Sequence, residues 1–80
     1  MHELSLAQNI VEMVATKAAG RAIHRVTIEV GCDSSVSPET LSFNLDLVAE
    51  DTAAEDAIFD IVSVDGAVIT LRSMEVLETA

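Results

Sequence analysis

The chain has little of several residue types that stabilise or serve many small proteins. Its 80 residues include one cysteine, one proline, no tryptophan, no tyrosine and only two phenylalanines. The single cysteine, Cys32, excludes an internal disulfide and any zinc site built on a Cys-x-x-Cys pair. Half of the residues are apolar. We therefore expect a small core made almost entirely of aliphatic side chains.

Basic residues are also scarce, since four Lys and Arg stand against 14 Asp and Glu, for a net charge of −10. This balance argues against nucleic-acid binding, which rests on Lys and Arg at phosphates. It is compatible with cation binding, a basic partner or a merely soluble surface. No apolar run approaches the roughly 20 residues of a membrane span, and no signal peptide precedes the first predicted helix. The composition predicts one cytoplasmic domain over residues 1–80.

The first half of the chain predicts a helix and then a strand. Apolar residues recur at helical spacing, namely Ala7, Ile10, Val11, Val14 and Ala18. Ser5 and Gln8 have the form of a capping box, and Gly20 suits a left-handed cap after the helix. Residues 25–30 then alternate between polar and apolar. This alternation predicts a half-buried strand that Gly31 closes.

The segment from Ser37 to Val48 is compatible with either a strand or a helix. Its apolar residues alternate from position 41 to position 47, as they do in a strand. However, Ser37, Pro38 and Glu39 are a cap, a proline and an acid in the order typical of a helix start. A helix is favoured. Its Phe43 and Leu47 would then form a second apolar stripe, facing away from the core and suited to a partner.

The last third of the chain predicts two further strands, over residues 57–64 and 68–77. Asp65-Gly66 lies between them, and this dipeptide is among the strongest signals of a two-residue hairpin. The apolar phase shifts near Ser73, which predicts a bulge. The fold class is therefore α+β, with a three-stranded, mainly antiparallel sheet and two helices packed on one face.

The candidate metal-binding groups of the sequence lie at its beginning. A histidine at position 2 places an imidazole next to an α-amine, and the amide between them completes fused chelate rings. Nitrogen donors in a flat array favour nickel(II) or copper(II). His24 is interpreted as a solvated strand residue and Cys32 as a small core residue rather than as ligands. The chain offers no nucleophile motif, phosphate-binding loop or catalytic carboxylate pair, so we do not expect an enzyme.

Five sequence blocks resemble the HypA/HybF family of hydrogenase nickel-incorporation proteins. They are residues 1–7 (MHELSLA), 25–31 (RVTIEVG), 34–41 (SSVSPETL), 52–55 (TAAE) and 73–76 (SMEV). The resemblance covers nearly the whole chain and implies that the ambiguous segment is a helix. It also implies that Met1, His2 and Glu3 bind Ni²⁺ for delivery to a partner, either a maturation GTPase or the hydrogenase large subunit.

Two departures from the family pattern affect these expectations. The family carries a zinc domain with two Cys-x-x-Cys pairs between its last two strands, whereas Asp65-Gly66 closes that gap here, so no zinc is expected. The residue before the helix-start proline is commonly acidic in the family and lies near the nickel, but here it is Ser37. Asp33 in the same loop is a candidate replacement.

Three functions are compatible with this pattern. The first is a metallochaperone-like nickel-binding accessory protein. The second is a HypA-like interaction or regulatory module that has lost nickel delivery, with a homodimer among its possible assemblies. The third is a general buffer for divalent ions. Retention of His2 favours the first, and loss of the zinc domain favours the second.

Overall fold

A computed structural model describes residues 3–77 of the chain, which form two helices and three strands. The elements in chain order are α1 (Glu3–Ala18), β1 (Ile23–Gly31), α2 (Pro38–Val48), β2 (Ile58–Val64) and β3 (Ile69–Val76). The two helices pack against each other, α1 contacts β1 and β3, and α2 contacts β2. The predicted α+β class, with two helices on a three-stranded sheet, is confirmed.

The sheet is mixed, with the strands in the order β2-β1-β3. Strand β1 pairs with β2 in parallel and with β3 in antiparallel orientation. Strand β3 therefore runs opposite to both other strands, and the prediction of a mainly antiparallel sheet is confirmed in that sense. The central strand β1 has a partner on each side, which places it in the middle of the fold.

The predicted hairpin at Asp65-Gly66 is wrong, because β2 and β3 lie on opposite sides of β1. Residues 65–68 instead cross the carboxyl end of β1. Gly66 has φ +101°, but Asp65 has no positive φ, so the pair does not form a type I′ turn. The dipeptide signals a local change of direction. It does not determine which strands pair, and here both edge strands pair with the apolar strand β1.

Helix α1 buries the residues that the spacing predicted, with Ala7, Val14 and Ala18 fully inaccessible to solvent. It begins at Glu3 rather than after Ser5, so Ser5 lies inside the helix and the predicted capping box is wrong. Beyond Ala18 the chain has positive φ at Gly20, as predicted, and also at the preceding residue, Ala19.

Helix α2 has the start that the sequence indicates. Ser37 is its N-cap, with the hydroxyl oxygen accepting a hydrogen bond from the Thr40 N–H, and Pro38 occupies the first turn. Leu41 and Leu45 are fully buried, which resolves the ambiguity in favour of a helix.

The bulge predicted near Ser73 is present. Thr27 of β1 pairs with Ser73 and the next residue, Ile28, pairs with Leu71, so Arg72 is the extra residue. Because of the bulge, Leu71 and Met74 both pack against the core although three positions separate them.

The core fills the space between the helices and one face of the sheet. On β1 it receives Val26, Ile28 and Val30, whereas the alternate residues are only half-buried. The opposite face of the sheet, called here the open face, carries the side chains of Arg25 and Thr27. Among residues 3–77 no helix is long and apolar enough to span a membrane.

Candidate metal centre

The beginning of α1 meets the beginning of α2. The Ser37 backbone N–H donates a hydrogen bond of 2.9 Å to Oε2 of Glu3. Ser37 is the cap of α2, and its hydroxyl oxygen accepts from the Thr40 N–H at 3.3 Å. A carboxylate at a helix N-terminus is stabilised by the partial positive charge there. Glu3 therefore joins the first turns of two helices.

The loop after β1 is held by the connection between β2 and β3. The backbone N–H groups of Gly31, Cys32 and Asp33 donate to carbonyl oxygens of residues 68, 64 and 66 at 2.9, 2.8 and 2.8 Å. A Cβ on Gly31 would lie 2.7 Å from the Gly66 carbonyl carbon, so only glycine permits this approach. Glu3, residues 31–37 and residues 64–68 thus form one end of the molecule, called here the loop end.

The predicted nickel ligands are placed only in part. Met1 and His2 lie outside the described residues, and Glu3 is at the loop end. Asp33 is exposed at the same end, and its backbone N–H bonds to Gly66. Within residues 3–77 no three His, Cys, Asp or Glu side chains come together in a group able to hold a metal ion. A role for Asp33 therefore stays a prediction.

For Cys32 and His24, the structure contradicts one prediction and agrees with the other. Cys32 is exposed at the loop end, so its predicted place in the core is wrong. It follows Gly31, which is buried against Gly66, and the chain turns outward at that point. His24 is exposed near the start of β1, as predicted. Gly31 lies seven positions further along the extended strand, or about 23 Å away at 3.3 Å per residue. His24 is therefore remote from the loop end.

Sequence reasoning missed the hydrogen bond between Glu3 and Ser37, which connects residues 34 positions apart. The only available signal was that the N–H of a capping serine lies outside its own helix and requires some acceptor. That requirement does not identify the acceptor. Ser37, the residue before the helix-start proline, is thus linked to the third residue of the chain by this hydrogen bond.

Comparisons with known proteins agree with this architecture. A family model described as "Hydrogenase/urease nickel incorporation, metallochaperone, hypA" matches residues 1–75. The chain belongs to the HypA family. It is 39% identical over 66 residues to a hydrogenase maturation factor HypA of Crocosphaera subtropica and 41% identical over 66 residues to one of Trichodesmium erythraeum. In both cases the match covers 82% of this chain and 58% of the relative. The chain thus corresponds to little more than half the length of these HypA proteins.

Solved HypA structures share the fold. One, titled "Solution structure of HypA protein", has a TM-score of 0.76 and 21% identity, and the match covers 96% of this chain and 97% of that one. The nickel metallochaperone HypA from Helicobacter pylori, also solved in solution, has a TM-score of 0.69 and 24% identity. That match covers 91% of this chain and 72% of the Helicobacter chain.

Proposed function

We propose that this protein is a nickel-binding accessory protein of hydrogenase maturation, and that it holds Ni²⁺ through its first three residues. The observation that carries the proposal is the match of residues 1–75 to the nickel-incorporation family, together with the Met-His-Glu start. The amine of Met1, the amide of His2 and the His2 imidazole supply three nitrogens in sequence. Such a set suits nickel(II), which favours flat arrays of nitrogen donors.

Glu3 is assigned a positioning role in this proposal. Its carboxylate accepts the Ser37 N–H, so the side chain is directed toward the start of α2. The Glu3 backbone then leads directly from the chelate into the first turn of α1. Under this proposal the anchored Glu3 favours ion binding, because a fixed neighbouring residue reduces the entropy lost when a chelate closes.

Delivery requires a site from which the ion is also readily released. A chelate at a chain end, built largely from backbone groups, is accessible to the incoming ligands of a partner. We propose that the receiving partner is a maturation GTPase or the hydrogenase large subunit, that the protein works in the cytoplasm, and that it carries cargo without catalysing a reaction.

Calorimetric Ni²⁺ titration of protein that begins at Met1 tests the proposal. His2→Ala removes the imidazole, and one extra residue before Met1 converts the amine into an amide. Each change should lower the Ni²⁺ affinity by at least about 10-fold, or 1.4 kcal/mol. His24→Ala is the matched control, because it removes an exposed imidazole at the far end of β1, and it should leave the affinity unchanged.

The affinity should also fall below about pH 6.5, because an unperturbed imidazole has a pKa near that value and its protonated form is not a ligand. Equal affinity for the extended and native-start proteins would exclude the amine as a ligand. Equal loss in His2→Ala and His24→Ala would show that binding is non-specific, as expected for a general buffer of divalent ions.

An interaction module is the second candidate function, and helix α2 favours it. Phe43 and Leu47 are 69% and 50% exposed, on the side of the helix away from the core. Residues 26–71 contain no Lys or Arg, so this stripe lies within an acidic stretch and would suit a basic partner surface. If Phe43→Ser abolishes hydrogenase maturation in cells while His2→Ala does not, this function replaces nickel delivery.

A further inference from the structure

Strand β2 forms one outer edge of the sheet, and this edge has none of the usual protections against strand pairing. It pairs with β1 alone, and within residues 3–77 no further strand lies beside it. Proteins usually blunt an exposed edge with a bulge, a proline or a basic side chain. The register of β2 with β1 is uninterrupted, and residues 58–64 contain no proline, Lys or Arg. The other edge strand, β3, carries both a bulge and Arg72, so β2 is the edge open to pairing.

The backbone groups that face outward from β2 belong to Phe59, Ile61 and Ser63. Just beyond β1, the Cys32 N–H donates to the Val64 carbonyl oxygen at 2.8 Å. Because alternate residues of a strand bond to the same neighbour, the even-numbered residues of β2 bond to β1. The three odd-numbered residues then turn their N–H and C=O groups away from the sheet. They form a template for an added strand.

The side chains along this edge are apolar on both faces of the sheet. Phe59 and Ile61 pack against the core on the helix-covered face, yet both are only half-buried. Ile58 and Val62 lie on the open face, where they are 45% and 36% exposed. An added strand would therefore cover apolar surface on both of its faces, in addition to forming backbone hydrogen bonds.

The charge around this edge is strongly negative. Residues 26–71 contain ten Asp and Glu and no Lys or Arg, so this segment alone accounts for the net charge of −10. Asp60 of β2 is paired with Arg25, but Glu39 and Asp46 of α2 are exposed. Complementarity of charge therefore favours a basic partner at this side of the molecule.

These two acids of α2 lie on the side of the helix that faces the β2 edge. Val48 lines a groove together with Gln8 and Val11 of α1, so its side of α2 faces α1. Asp46 lies about 160° around the helix from Val48, and Glu39 is two turns away on the same side as Asp46. Because α2 contacts both α1 and β2, the side away from α1 is the side of the free edge.

We infer that the free edge of β2 accepts an extended segment of another protein as a fourth strand, and that this segment alternates between Lys or Arg and apolar residues. Its backbone bonds to the outward groups of the odd-numbered residues of β2. Its basic side chains lie on the helix-covered face, where their stems cover Phe59 and Ile61 and their charged ends reach the carboxylates of α2. Its apolar side chains lie beside Ile58 and Val62. This inference goes beyond nickel binding and does not depend on it.

The probe is a synthetic peptide of alternating Lys and Val, about seven residues long to match β2, titrated into isotope-labelled protein. The amide signals of Phe59, Ile61 and Ser63 should move and become protected from hydrogen exchange, because their N–H groups gain acceptors. The amides of Asp60 and Val62 already bond to β1 and should change less. A peptide with methylated backbone nitrogens has the same charge but cannot form the ladder, and it should bind at least about 10-fold more weakly.

Ser63→Pro tests the edge from the side of the protein. Ser63 is exposed and its N–H faces outward, and proline is tolerated at such a position on an edge strand. The variant loses a donor and places a ring where the peptide backbone approaches, so the peptide affinity should fall at least about 10-fold. Ser63→Ala is the matched control, since it removes the hydroxyl but keeps the N–H, and it should bind like the wild type. Circular dichroism verifies that both variants are folded.

The acids of α2 are tested by the double variant E39Q/D46N. It removes two charges that face the edge and should weaken peptide binding about 3-fold or more. The control E12Q/E75Q removes the same charge at exposed positions on α1 and β3 and should have a smaller effect. If Ser63→Pro does not fold, the methylated peptide and these charge variants decide the question.

Equal binding of the plain and methylated peptides would show charge attraction alone and would overturn the inference, as would no binding up to about 1 mM peptide. Signals that move around Phe43 on α2 rather than on β2 would transfer the contact to the helix and also overturn it. Changes at the β2 amides on raising the protein concentration without peptide would assign the edge to a second copy, with the same consequence. Equal effects of E39Q/D46N and E12Q/E75Q would contradict the recognition of basic side chains by α2.

Discussion

The core and the loop end are held together by different interactions. Between the helices and the sheet, the buried residues are all apolar, and within residues 3–77 none of the buried side chains is polar or charged. At the loop end, exposed segments are joined by backbone hydrogen bonds, the close approach of Gly31 to Gly66, and the Glu3 carboxylate. Apolar burial is non-directional, whereas hydrogen bonds and close backbone contacts fix geometry. The core therefore determines stability, and the loop end determines the position of Glu3 and of the loop before α2.

The largest expected loss of folding stability comes from Leu45→Ala, which changes the core. Leu45 is fully buried on α2, and truncation of such a residue costs about 2–5 kcal/mol in transfer and cavity terms. Urea unfolding should show this loss. Ni²⁺ affinity measured below the unfolding transition should equal that of the wild type, because the loop end keeps its hydrogen bonds. A large loss of affinity in the folded protein would contradict the separation of the two regions.

The second effect is on the loop end, from Gly31→Ala. The added Cβ would meet the Gly66 carbonyl carbon at 2.7 Å, and that atom belongs to backbone rather than to a flexible side chain. We expect a loss of about 1–3 kcal/mol, as for other overpacked sites. Amide chemical shifts of Asp33 and Gly66 should move more than those of core residues. A neutral result would show that residues 65–68 do not pack on β1 as described.

A smaller loss of folding stability is expected from Gly66→Val. This variant tests backbone strain alone, whereas Gly31→Ala tests steric contact at the same place. Gly66 has φ +101°, and no atom lies within 4 Å of the position its Cβ would take. The cost is therefore that of a β-branched residue at positive φ, at least about 1 kcal/mol. Thermal unfolding beside Gly31→Ala measures the difference. If Gly66→Val costs more, backbone conformation outweighs the close contact at the loop end.

No effect is expected from zinc removal. The zinc domain that the sequence resemblance implies between the last two strands has no counterpart in residues 65–68, and the chain has one cysteine. Extensive chelation should leave the circular dichroism spectrum and the melting curve unchanged. Unfolding on chelation would show that a structural metal holds the loop end in place of the connection described above.

Much of the fold was predictable because it depends on local periodicity. The helical spacing around Val14 and the alternation around Ile28 each identify one element and its buried face without reference to the rest of the chain. The start of α2 was also readable, since Ser37 and Pro38 act within one turn. The bulge at Arg72 was visible as a shift of apolar phase, which is again a local property.

The incorrect predictions share a different cause. The Asp65-Gly66 dipeptide correctly indicated a turn. However, β2 and β3 could pair either with each other or with β1, and both pair with β1. Ser5 resembled a cap, yet α1 begins two residues earlier, where the Glu3 carboxylate reaches Ser37 across 34 positions. Cys32 is of a residue type that is usually buried, but it is exposed because it lies where the chain leaves the sheet.

The sequence by itself determined the elements, their buried faces, the family and the Met-His-Glu motif, because each of these is written in the identity and spacing of neighbouring residues. Only the tertiary structure decided that β1 lies in the centre, that Gly31 and Gly66 touch, and that Glu3 joins the loop before α2. These contacts connect residues distant along the chain, and many pairings are compatible with the same local patterns. The shared core selects one of them, because it buries the apolar faces of α1, α2 and β1 together.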